Sequence, residues 1–141
     1  MQLSFYLDLI KQVNIGNYRG RKILAKPIFI IALIEAIEKR ISTNNRFFYE
    51  TLVDLYKQIY HLYIGMNITP MHKPFYHLQN DGFWHIQYIN SPICINSAKA
   101  INGHVEYAYL DNALWDLLQD KEARKTIKEE IVRFFKLDVN N

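Results

Sequence analysis

The stretch HKPFYHLQNDGFWHI, residues 72–86, sets His72, His77 and His85 among Phe75, Tyr76, Phe83 and Trp84, around Asn80-Asp81-Gly82. Imidazoles beside a carboxylate could hold a metal ion, with His77 and His85 as one pair and His72 or Asp81 as a third ligand. The same groups could instead bind without reacting, because His and Gln donate to phosphates and base edges while aromatic rings stack on bases. Spacing favours binding. The chain has no HExxH motif, no paired-histidine nuclease finger with its following Asn and His, no Asp…Glu-x-Lys arrangement and no Gly-x-Ser-x-Gly elbow. A metal, a cofactor or catalysis by this chain alone is therefore not expected.

Charge points the same way. The net charge is only +3, but Lys11, Arg19, Arg21, Lys22 and Lys26 occur between Leu9 and Ile34 with no acid among them, whereas Asp111–Asn141 carries a slight acidic excess. Positive potential concentrated in the first half favours an anionic partner such as nucleic acid. A basic loop that is merely solvated is the alternative from charge alone.

The elements that would position these groups follow from periodicity. Leu3, Tyr6, Leu7, Ile10 and Val13 predict an amphipathic helix over 3–14, with a basic loop after it. Pro27 is suited to a first helical position, and the run to Arg40 predicts a buried central helix. Ser42, Thr43 and Asn44 offer caps for a third helix over 47–64, whose stripe is Phe48, Leu52, Leu55, Ile59 and Leu62, with Gly65 as its stop. His61, within it, and His104, beside a turn, read as structural.

Residues 75–88 predict a β-hairpin closed by Asn80-Asp81-Gly82. That register puts Tyr76, Leu78, Trp84, Ile86 and Tyr88 on one face and His77, Gln79, His85 and Gln87 on the other, with His77 opposite His85. A shorter Asp81-Gly82 loop would mix polar with apolar on both faces. Ser97 caps a short helix, Val105–Leu110 predicts a strand that joins the hairpin, Asp111 caps the following segment, and a last helix spans 121–136 with Ala123, Ile127, Ile131, Phe134 and Phe135 inward.

The expected fold class is α+β, a mainly helical single domain over 1–141 with a small antiparallel sheet. Half the residues are hydrophobic, enough for one sizeable core, and Trp84 is expected within it. The lone cysteine, Cys94, reads as a buried small hydrophobe between isoleucines. No apolar run is long enough to cross a bilayer and no cleavable signal opens the chain, so a cytoplasmic protein is expected.

In order along the chain, KPIFIIALIEAIE (26–38), HKPFYHLQNDGFW (72–84) and EYAYLDNALWDLLQDKEARKTIKEEIVRFF (106–135) resemble the DNA sulfur-binding domain of McrA-type, modification-dependent restriction endonucleases. The resemblance implies a non-catalytic module of a bacterial defence system that binds double-stranded DNA carrying phosphorothioate, while a separate HNH nuclease domain or subunit cuts. Sulfur is larger, more polarisable and a poorer acceptor than oxygen, so an apolar dimple rimmed by basic groups prefers it. Pro74 before Phe75 matches the proline–aromatic element of the family's sulfur pocket. Lys26, in Leu24-Ala25-Lys26-Pro27, is the candidate for its basic residue.

Two flanking positions depart from the family pattern: Lys73 stands where members carry tyrosine, and His77 where they carry a small residue. His77 would either narrow the dimple or donate to an ordinary phosphate. In the leading reading, loop 66–74 with His72 and Lys73 meets the DNA backbone, and Arg19, Arg21, Lys22 and Lys26 supply phosphate contacts. The alternative is a protein-interaction or scaffold subunit that kept the fold and lost sulfur recognition. The chain ends at Asn141, about where a nuclease domain would begin, so it is expected to act alone, to act with a partner subunit, or to be a piece of a longer protein.

Overall fold

The apolar run after Lys26 forms the centre of the molecule. A computed structural model describes residues 2–138, and in it α2 (Ala25–Glu38) buries Ile28, Phe29, Ile31, Leu33 and Ile34 almost completely. Each such side chain removed from water contributes about 1.5–3 kcal/mol, so this helix anchors the core. It starts two residues before Pro27, whose missing N–H falls in the first turn, where no helical partner exists.

Around α2 pack α1 (Gln2–Lys11), α3 (Tyr49–Tyr63), α4 (His72–His77), α5 (Ala98–His104), α6 (Asn112–Leu117) and α7 (Lys121–Phe134), giving the α+β class expected. α2 touches α3, α4 and α7 directly, and α1 lies against α6 and α7. Among the described residues no helix is long and apolar enough to cross a membrane.

Among the described residues, two separate two-stranded antiparallel sheets complete the fold. The expected basic loop is a hairpin, β1 (Gly16–Tyr18) paired with β2 (Arg21–Ile23), closed by Arg19-Gly20 with φ of 51° and 80°. Positive φ at both turn residues is the type I′ geometry whose twist matches that of the strands. In the second sheet β3 (Trp84–Tyr88) pairs with β4 (Val105–Leu110), setting Trp84 opposite Leu110 and His85 opposite Tyr109. Phe47 bridges to Ala108 on the other edge of β4 through N–H···O bonds of 2.7 and 2.9 Å.

The predicted hairpin over 75–88 is corrected in its first half. Residues 72–77 are α4, and Leu78–Asp81 continue as a 3₁₀ turn that Gly82, at φ 101°, redirects into β3. Met71, Pro74, Phe75 and Leu78 are all buried, a helical i, i+3, i+4, i+7 stripe that outcompetes the period-two pattern. Pro74 falls in the first turn of α4, where its missing N–H costs no helical bond. The cross-strand pairing of His77 with His85 therefore does not exist.

For α3 and α7 the smaller corrections follow from which face meets α2. α3 turns inward Leu52, Leu55, Tyr56, Ile59 and Tyr60, leaving Phe48 and Leu62 exposed, and its N-cap is Phe48 without a side-chain bond. α7 buries Ala123, Ile127 and Ile131 but exposes Phe134. Cys94 is exposed and only its neighbour Ile95 is buried. His61 and His104 lie at the surface, outside the core. Ser97 does cap α5, accepting the Ala100 N–H at 3.1 Å.

The core is closed by aromatic rings. Trp84 is fully buried, 5.3 Å from Phe29 and 5.6 Å from Phe75 in edge-to-face packing, and its indole N–H donates to the Phe75 carbonyl at 2.8 Å. The bond satisfies the one polar atom of an otherwise apolar residue.

Candidate nucleic-acid interface

The bend between β2 and α2, the C-terminal end of α3 and the exposed side of α4 together enclose a concavity of about 1300 Å³. That exceeds the roughly 300–1,000 Å³ usual for small-molecule pockets and suits an extended ligand. β1 and β2 bring Tyr18, Arg19, Arg21 and Lys22 to it; α2 brings Lys26; α4 brings Lys73, Pro74 and His77. Seven of the nine residues predicted to contact a ligand thus converge on one surface, from segments far apart in sequence.

The other two do not reach it. Phe75 lies beneath, 1% exposed, against Phe29, Tyr49 and Trp84. His72, half-buried at the start of α4, is absent from the lining; burial, with the nearby charges of Lys73 and His77, holds its imidazole below the usual histidine range.

Pro74 is buried within the chain yet contributes to the lining, with apolar surface from Ile23, Ile64, Met66 and Ile68 nearby. Thr69 fixes the loop carrying Met66 and Ile68: its carbonyl accepts the Tyr56 hydroxyl at 2.6 Å, and its hydroxyl lies 3.1 Å from that of Tyr60. The floor is therefore apolar and held, while the rim is cationic.

Lys26 is not a free cation. Its ammonium lies 2.6 Å from Asp81 Oδ2, and the other carboxylate oxygen accepts the Asn14 N–H at 2.9 Å. Among the described residues Asp81 is the sole carboxylate in the lining, against Arg19, Arg21, Lys22, Lys26 and Lys73, so the surface keeps a clear positive excess. This pairing joins residues 55 positions apart, and nothing in the local sequence signals it.

The remaining histidine sits in a different cluster. His85 Nε2 lies 2.6 Å from Asp111 Oδ1, and Asp111 Oδ2 accepts the Tyr6 hydroxyl at 2.9 Å, tying α1 to β3 and to the start of α6. Asp111 occupies the N-cap of α6 but makes no side-chain cap bond, because its oxygens are taken up here. Burial and this carboxylate push the Tyr6 phenol up to about 12. Among the described residues no three His, Cys, Asp or Glu side chains gather as a metal would require.

Comparison with known proteins places the fold. No protein-family model matches the chain, and no curated protein does. A solved structure does: the sulfur binding domain of SprMcrA complexed with phosphorothioated DNA superposes with a TM-score of 0.69 over 98% of this chain and 88% of that one, at 13% sequence identity. The chain has the fold of that sulfur-binding domain.

Proposed function

We propose that this chain is a non-catalytic DNA-recognition domain whose concavity receives the backbone of a duplex. The observation that carries the reading is the gathering of Arg19, Arg21, Lys22 and Lys73 around an apolar floor that includes Pro74. Its likeness in fold to a domain solved on phosphorothioated DNA adds support. Cations at the rim release counterions from phosphates, and this sequence-independent term supplies most of the affinity. An apolar floor offers a sulfur atom contact without demanding the hydrogen bonds that a phosphate oxygen would need.

In this reading the preferred ligand is duplex DNA with a phosphorothioate, the setting is a restriction system of the cytoplasm, and strand cleavage belongs to an HNH nuclease domain or subunit. Lys73 and His77 border Pro74 on α4 and present donors to the phosphate groups flanking the modified one.

The test is binding of matched duplexes, with and without a central phosphorothioate, across a salt series. A steep fall in affinity with salt and a preference for the modified duplex are expected, and Pro74→Ala should reduce that preference more than total affinity. Equal binding of both duplexes would retain DNA but remove sulfur reading; no binding at low salt would end the DNA reading.

A further inference from the structure

The outer face of the β3–β4 sheet carries an aromatic row that the core does not use. Strand alternation turns Trp84, Ala108 and Leu110 inward and leaves His85 beside Tyr109, and Gln87 beside Tyr107, on the outside. Phe47, bridged to Ala108, is buried as well, so its exposed neighbours Arg46 and Phe48 extend the outer face. The rings run without a break: centroids are 6.4 Å apart from Phe48 to Tyr107, 6.0 Å from Tyr107 to Tyr109 and 5.1 Å from Tyr109 to His85. The Arg46 guanidinium lies 4.7 Å from the Tyr107 centroid. Phe48, Tyr107 and Tyr109 stand outside the core cluster, and Phe48 is 45% exposed. None of these residues lines the concavity, because Trp84 and Phe75 lie between the sheet and the floor at Pro74.

We infer that this face is a second binding surface, a stacking platform for unpaired nucleic acid on the far side of the core from the concavity. Ring spacing selects the unpaired form. Stacked bases lie about 3.4 Å apart and close each other's faces, so a duplex offers this wider row nothing. An unpaired strand can splay its bases onto successive rings, and such stacking accepts any base. Charge agrees with a polyanion. Arg46 is a fixed cation, Glu106 alternates to the opposite side of β4, and Asp111, at the end of the row, has its two oxygens taken by His85 and Tyr6. Arg46, Gln87 and the two phenols supply donors for phosphates and base edges. The inference does not depend on the duplex reading of the concavity, and either can fail without the other.

Fluorescence anisotropy of a labelled short oligothymidine, alone and with saturating phosphorothioate duplex, tests this. The wild-type protein should bind the oligonucleotide in both conditions. Tyr107→Leu and Tyr109→Leu, with folding checked by circular dichroism, should each weaken that binding by roughly tenfold. Tyr107→Phe and Tyr109→Phe keep the rings and should stay within about twofold of wild type. Arg46→Gln should make the slope of log affinity against log salt shallower by about 0.7. Displacement of the oligonucleotide by the duplex, or folded leucine variants that bind it like wild type, would overturn the platform. So would a wild-type protein that binds no oligonucleotide, which would leave the rings to a protein partner. Ring-dependent oligonucleotide binding without any duplex binding would overturn only the reading of the concavity.

Discussion

Lys26 and Asp81 form an ion pair in the wall of the concavity, Nζ to Oδ2 2.6 Å, with side chains 13% and 8% exposed. Through its second oxygen the carboxylate also holds Asn14, so one residue joins the start of α2, the base of the basic hairpin and the turn after α4. Lys26→Met leaves a charged, largely buried carboxylate without its cation and should cost about 3–5 kcal/mol in urea denaturation. Asp81→Asn keeps an acceptor for Asn14 and frees the lysine. The slope of log affinity for DNA against log salt should then steepen by about one; an unchanged slope would mean that Lys26 meets no phosphate.

The Tyr6–Asp111 contact predicts alkaline sensitivity. A phenol whose folded pKa is raised from 10 to about 12 favours the folded state fully below pH 10, and that contribution is lost as pH rises from 10 towards 12. Tyr6→Phe should therefore be less stable than wild type at neutral pH and should flatten the stability profile over this window. A parallel fall of both proteins would contradict the assignment.

His72 predicts the opposite limb. Its folded pKa lies below the ordinary 6.5, so the unfolded chain binds the proton first, and stability should decline as pH falls from 6.5 towards the folded value. His72→Gln should remove that part of the acid slope in denaturation measured across pH 5–7, a window set by the usual histidine range.

Trp84 joins packing to polar satisfaction. Trp84→Ala should cost about 3–5 kcal/mol, because the cavity would open beside Phe29, Phe47 and Phe75. Trp84→Phe retains a ring but strands the Phe75 carbonyl, and a smaller loss of about 1–3 kcal/mol is expected in thermal or urea unfolding.

The sequence by itself determined the long elements. α3 and α7 were legible because burial of one face imposes a 3.6-residue period over many turns, α2 because Pro27 opens a run that is apolar nearly all round, and β4 because Val105–Leu110 is short, β-branched and aromatic and bounded by Gly103 and Asp111. It also determined the sign of the surface, since no acid interrupts Lys11 to Lys26.

Only the tertiary structure decided α4. Over Pro74 to Leu78, periods of two and of 3.6 both sort some apolar residues inward, and packing of Phe75 and Leu78 against the core selects the helix. Tertiary structure likewise decided which cations are available: Arg19, Arg21, Lys22 and Lys73 stay unburied at the rim, while Lys26 is taken by a carboxylate far along the chain. Local propensity is written in neighbouring residues, but charge pairing depends on distance in space, and only the folded chain fixes that distance.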